Sequence, residues 1–266
     1  VADAGTARLE RTAARHLAAH ADALRAIDAS WGSRSFELVD GLVVLQGTGL
    51  YVNRALALGL VDTVGPADVD ELERASAAAG VPASVDVVPA THADLVSLLT
   101  ARGYAPSGEV SVMTRPIDAP AIEADPAIAV RPIASDELPH WQDVSYAAWE
   151  HTTPDARRAS DVYAAAAHAT DGERLMLALD AETGRPLGCA SLIVRDGLAT
   201  LGGMSTLPAE RGRGVQRALV AERLRLAGLT GCDLATVTAV LGGPSERNLL
   251  RLGFQRRYVK TTWTRP

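Results

Sequence analysis

One shift of the chain against itself constrains the fold more than any local pattern. When residue n is set against residue n + 150, Gly103 meets Gly253, each followed by an aromatic, Tyr104 and Phe254. Leu99 falls on Leu249, Val87 on Val237, and Thr114-Arg115-Pro116 on Thr264-Arg265-Pro266. The helix-like stretches 68–79 and 218–229 overlie each other without an insertion. Alternating strands and helices alone can produce some coincidence. A tripeptide, a Gly-aromatic pair and the element order sharing one offset argue instead for two copies of one α/β unit.

A chain of 266 residues, 47% of them hydrophobic, has room for two domains of ordinary size, each with its own core. Helical spacing runs through 7–28, and 36–47 reads as a hairpin turned at Asp40-Gly41, while 49–60 is ambiguous between strand and helix. Helix, strand, helix and strand follow to Pro116. Residues 117–128 carry Pro120 and Pro126 and no periodicity, which marks a linker. Beyond it the order recurs, with helices at 135–149 and 155–169, strands at 174–180, 187–197 and 198–207, and then helix, strand, helix, strand. The expected domains are 1–117 and 128–266, joined by linker 118–127, each a mixed, mostly antiparallel sheet flanked by helices in an α/β (α+β) fold.

Composition removes several classes of function. A net charge of −6 argues against a nucleic-acid binder. No run of apolar residues is long enough for a membrane span. Cys189 and Cys232 lie far apart and near no histidine-rich tract, so they read as core thiols rather than as a disulfide framework or metal ligands. No metal site is expected, and the localisation expected is cytoplasmic. Lys260 is the only lysine, and it follows no glycine-rich loop, which excludes a phosphate-binding loop of the G-x-x-x-x-G-K type.

The stretch Arg211-Gly212-Arg213-Gly214 separates a strand from a helix. First-turn amides of a helix point outward without acceptors, and the aligned peptide dipoles favour negative charge there. A solvated tight turn is the bland alternative. A dinucleotide fingerprint fails because position 217 is arginine, and a hydrolase elbow fails because Gly203-Met204-Ser205-Thr206-Leu207 lacks its second glycine. The first copy has Val61-Asp62-Thr63-Val64 at the matching place and cannot bind in the same way.

With Pro208 and the strand before it, Arg211-Gly212-Arg213-Gly214-Val215-Gln216 resembles the Q/R-x-x-G-x-G/A signature of the GNAT superfamily of acyl-CoA-dependent N-acetyltransferases. Gln216 departs from the small residue at its last position. The helix Ser245–Leu252 running into Gly253-Phe254 is similar to the GNAT helix that ends in Gly-Phe. The resemblance covers residues 128–266, and the first half looks like the degenerate copy of tandem members. It implies acetyl-CoA as cosubstrate. The pyrophosphate would lie on the amides of Gly212, Arg213, Gly214, Val215, Gln216 and Arg217, with Arg211 beside them. The pantetheine arm would pair with Met204, Ser205 and Thr206, and Asn248 would add a side-chain contact. The implied acceptor is a primary amine of a small molecule or peptide, acetylated by direct transfer.

Transfer from a thioester to an amine needs a base for the ammonium, polarisation of the carbonyl and a proton for the thiolate. Many family members protonate the thiolate with a tyrosine four residues before the Gly-Phe glycine, where this chain has Leu249. Tyr258 is the nearest substitute. Glu150 and His151 are candidate bases, although a solvated helix end is the plainer reading of both. Trp141 and Trp149, eight apart, would share a helix face. A non-catalytic acyl-CoA-binding sensor is the alternative to an enzyme.

Overall fold

The computed structural model describes residues 3–266. In chain order the elements are α1 (Ala4–Ile27), β1 (Arg34–Leu38), β2 (Gly41–Leu45), β3 (Asn53–Leu56), α2 (Pro66–Ala78), β4 (Ala83–Val87), α3 (Ala93–Ala101) and β5 (Ala105–Pro116). After an irregular stretch come β6 (Ile128–Pro132), α4 (Leu138–Ala148), α5 (Pro154–Ala169), β7 (Glu173–Asp180), β8 (Pro186–Arg195) and β9 (Leu198–Thr206). The chain closes with α6 (Val215–Leu229), β10 (Leu234–Val240), α7 (Pro244–Arg251) and β11 (Gln255–Arg265). Pro66, Ala83, Ala93 and Ala105 open α2, β4, α3 and β5; Val215, Leu234, Pro244 and Gln255 open their counterparts at the repeat offset to within one residue.

Two compact units result, and they do not follow the sequence halves. The first takes residues through Val112 together with Ala239–Glu246 and Arg256–Pro266; the second takes Met113–Thr238 and Arg247–Gln255. The final strand therefore belongs to the first unit, where β11 pairs antiparallel with β4 from Thr261↔Val87 to Arg265↔Ala83.

In the first unit β1, β2 and β3 form an antiparallel meander, and β3 runs parallel to β4. One face buries Leu72 of α2 and Leu95 and Leu99 of α3 against Val43, Leu45 and Val85. The other buries Ala14 and Ala21 of α1 against Val44, Leu56 and Val88. Residues 49–60, ambiguous by pattern, hold the short strand β3. The hairpin turns at Val39-Asp40 rather than Asp40-Gly41. Asp40 is drawn back because its carboxylate accepts from the Gly59 and Val61 amides at 2.7 and 2.6 Å. Gly41 enters the ladder instead, where any Cβ would lie 2.5 Å from the Leu56 carbonyl oxygen.

In the second unit β6, β7, β8 and β9 are antiparallel neighbours and β10 joins β9 in parallel. Alternation along β8 sorts the two cores. Cys189 faces Trp141, Val144 and Ala164 of α4 and α5, while Ala190 faces Val215, Ala218 and Leu219 of α6. Trp141 is fully buried and its indole donates to the Met176 carbonyl at 3.0 Å. Trp149 does not share its face: α4 ends at Ala148, and the indole one residue past the end is 53% exposed. Among the described residues no helix is long and apolar enough to cross a membrane.

Candidate functional site

The glycines of the turn are demanded by backbone conformation, not by crowding. Gly212 and Gly214 have φ of +80° and +84°, in the left-handed region that costs other L-residues about 1 kcal/mol or more, and a Cβ on either would meet nothing within 4 Å. Gly214 is the N-cap of α6, and having no side chain it leaves the helix start uncapped. The first amide with a helical acceptor is that of Ala218, which donates to the Gly214 carbonyl at 3.0 Å. The amides before it face outward at the positive end of a fifteen-residue helix.

The corresponding helix of the first unit starts differently. Pro66 at its first position has no N–H to offer, and Asp68 turns its carboxylate back to accept from the Gly65 amide at 2.7 Å. Asp68 thus places a carboxylate of the chain's own at the positive end of α2, whereas the first turn of α6 holds no acidic residue. The sequence contrast between the copies is thus also a contrast in hydrogen bonding.

The arginines of the turn hold its shape. Arg213 pairs with the buried Glu210 and lies 3.7 Å from Asp180, and Arg185 donates to the other oxygen of Glu210 at 2.5 Å. Arg185 first, and Arg213 after it, keep the Glu210 carboxyl below its ordinary range. Arg217 donates through Nε to the Glu123 carbonyl in the irregular stretch before β6. Arg211 donates to Glu150 at 2.6 Å. The guanidinium groups of this turn are therefore engaged at its flanks by protein acceptors, and what the turn itself offers is its backbone amides.

The strand leading into the turn is open and kinked. β10 pairs with β9 from Leu234↔Leu198 to Thr236↔Thr200, and the pairing ends there although β9 runs on to Thr206. On the other side, Gly202 pairs with Ser191 and Ser205 with Cys189, so Gly203 and Met204 oppose the single residue Ala190. This is a bulge. Gly203 sits at φ +52°, and a Cβ there would come 3.1 Å from the Tyr163 hydroxyl; one on Gly202 would come 2.8 Å from Ser191 Oγ. Behind the bulge lies Arg223 of α6, fully buried, donating to the Ser191 and Gly202 carbonyls at 3.0 and 3.2 Å and to the Met204 sulfur at 2.8 Å. Burial pushes its guanidinium down to about 9 and lifts the Tyr163 phenol well above its usual value.

Most of the residues singled out in the sequence come together. Met204, Ser205 and Thr206 form the free end of β9, with Ser205 Oγ 3.3 Å from the Cys189 thiol, which burial raises to about 11. Asn248 of α7 donates to the Gln216 side chain at 2.6 Å, which places the two candidate coenzyme contacts of α6 and α7 side by side. Glu150 takes a left-handed φ of +55°, costly for a residue with a Cβ, and aims its carboxylate at Arg211. The His151 ring stacks obliquely on Tyr146, 5.8 Å between centroids. Tyr258 lies on β11 in the first unit, and its hydroxyl donates to Glu10 at 2.7 Å. Leu249 is fully buried.

Tyr163, Glu210 and Arg223 were not singled out from the sequence. A signal for Arg223 existed, since it continues the buried stripe Val215, Leu219 at i+4 spacing where an apolar residue belongs. The Gly202-Gly203 pair inside a strand was equally a bulge signal.

An α/β sheet splayed between two parallel strands, with an uncapped glycine turn at the end of the bulged one, is GNAT-like architecture. Residues 135–254 match the model of the acetyltransferase (GNAT) family. The fold is similar to that of a GCN5-related N-acetyltransferase from Kribbella flavida, with 18% identity, TM-score 0.66 and coverage of 94% of this chain and 95% of the other. It is similar also to a GCN5-related N-acetyltransferase from Sphaerobacter thermophilus, with 16% identity, TM-score 0.61 and coverage of 96% and 91%. A third likeness is to a tandem GNAT protein from the clavulanic acid biosynthesis pathway, with 16% identity, TM-score 0.59 and 94% of each chain covered. At these identities the likeness is one of fold. No curated protein matches the chain.

Proposed function

We propose that the chain is an acyl-CoA-dependent N-acetyltransferase that transfers an acetyl group directly from acetyl-CoA to a primary amine. The observation that carries this reading is the difference between the two helix starts: α6 opens on an uncapped αL glycine and follows a strand with a free edge, whereas α2 opens with a carboxylate of its own, Asp68, folded back on the Gly65 amide. The donor set fits the coenzyme. Outward amides at the start of α6 suit a diphosphate, and the unpaired edge at 201–206 suits an amide-rich arm that adds to it as a strand.

In this reading the bulge amides of β9 polarise the thioester carbonyl, and Glu150 receives the ammonium proton directly or through water as the amine nitrogen bonds to the carbonyl carbon. The carbon–sulfur bond then breaks, and the thiolate takes, through solvent, the second proton that the nitrogen sheds as it becomes an amide. The acceptor is a small molecule or peptide carrying a primary amine. The two halves, 1–117 and 128–266, are copies of one domain, the first having lost the coenzyme turn, and residues 118–127 link them. Two buried free thiols suit a reducing, cytoplasmic setting.

Leu249 favours a second reading, a non-catalytic acyl-CoA sensor, because a buried leucine at the family's tyrosine position cannot protonate the thiolate. Calorimetry with acetyl-CoA and a thiol-release assay against a panel of amines decide between them. Binding with amine-dependent thiol release supports the enzyme, binding with no release supports the sensor, and no binding overturns both.

A further inference from the structure

Arg223 is the most unusual charge in the second unit. Its side chain is wholly buried, yet among the described residues no carboxylate forms an ion pair with it. A buried cation is ordinarily matched by a buried anion, because taking an unpaired charge out of water is costly. Here four neutral acceptors replace the carboxylate: the carbonyls of Leu219, Ser191 and Gly202 and the sulfur of Met204. Two of the four, Gly202 and Met204, flank or form the β9 bulge, and Ser191 pairs with Gly202 across the ladder.

We propose that Arg223 is a positioning residue that fixes and polarises the bulge peptide facing the thioester, an inference that rests on acetyl-CoA lying along β9. The carbonyl of Gly202 and the N–H of Gly203 belong to one planar trans peptide and point in opposite directions. A guanidinium holding that carbonyl therefore fixes the direction of the N–H. It also draws electron density toward the carbonyl oxygen, which makes the same N–H a stronger donor. Because no carboxylate among the described residues pairs with it, the guanidinium contributes a positive potential where charge develops on the thioester oxygen. The geometry around it leaves the peptide little freedom to turn. Gly203 holds φ +52° with the Tyr163 hydroxyl against one side, while Arg223 grips the other.

The test is a spectroscopic one that requires no acceptor. Acetyl-CoA labelled with carbon-13 at the thioester carbonyl is bound to the wild-type chain and to Arg223→Met and Arg223→Gln, and the carbonyl resonance is followed together with the dissociation constant. The expected result is a downfield displacement on binding to the wild type that falls by about half or more in both variants while affinity changes less than about threefold. Arg223→Gln offers a neutral N–H to the carbonyls and carries the test if Arg223→Met does not fold. Arg223→Lys, which keeps the charge, should recover part of the displacement. Undiminished displacement in the neutral variants overturns the positioning role and leaves the coenzyme assignment standing. Failure of the wild type to bind acetyl-CoA overturns the coenzyme assignment itself, and this inference with it.

Discussion

Replacing Gly214 by alanine isolates the turn, because the new methyl group would meet nothing within 4 Å and the perturbation is confined to the backbone. At φ +84° an alanine costs about 1 kcal/mol relative to glycine, which lowers the melting temperature by roughly 2–4 °C for a chain of this size. The chain can accept that strain or rotate the residue out of the left-handed region. Rotation redirects the amides that follow. Losing one charge-assisted contact between an amide and a phosphate is worth about 2 kcal/mol, or about thirtyfold in the dissociation constant.

A control exists in the same unit. Gly184, in the turn between β7 and β8, has φ +72° and equally open surroundings. Gly184→Ala should lose the same stability and bind coenzyme A as the wild type does. Thermal denaturation and calorimetry on the two variants read both quantities. Equal coenzyme affinity in Gly214→Ala and Gly184→Ala, at equal loss of stability, would refute the assignment of the turn.

Glu150→Gln should lower amine-dependent thiol release by about a hundredfold at saturating acetyl-CoA if its carboxylate is the base, with little change in melting temperature because its pair with Arg211 is exposed. Tyr258→Phe should leave thiol release unchanged and cost about 1 kcal/mol by removing a donor from the buried Glu10, as urea denaturation would show; a slower reaction at unchanged stability would make Tyr258 the acid. Lys260→Met, which removes the ammonium at 2.6 Å from Glu10 and leaves it with neutral donors such as Tyr258, should destabilise the fold by about 3 kcal/mol in the same assay. The Glu210 carboxyl is depressed by Arg185 and Arg213, so its stabilising pairs are complete above the ordinary value of 4.5 and are lost as pH falls through the depressed one. Melting temperature followed downward from pH 5 should therefore fall less steeply in Glu210→Gln than in the wild type.

How much of this was legible in the sequence depends on whether the deciding force is local. Periodicity located the helices and strands, since which face is apolar is written in the spacing, and the offset carried the element order from one half to the other. The glycine turn was legible for the same reason: positive φ at Gly212 and Gly214 is a local demand that glycine meets. Partners fixed by tertiary structure were not legible. Nothing local says that Asp40 reaches Gly59 and Val61, and those contacts set the hairpin turn one residue before the Asp40-Gly41 pair that the pattern points to. Nothing local assigns the last strand to the first unit, and with that strand goes Tyr258, whose hydroxyl finds Glu10. Arg223 lies between the two cases. Its position on the buried stripe of α6 announced a buried charge, but only the fold shows that its acceptors are the carbonyls on either side of a strand bulge. The chemistry proposed for this chain is accordingly written in two places of different kind: a turn readable from the four consecutive residues Arg211-Gly212-Arg213-Gly214, and a bulge whose geometry is held by a residue on a helix packed behind it.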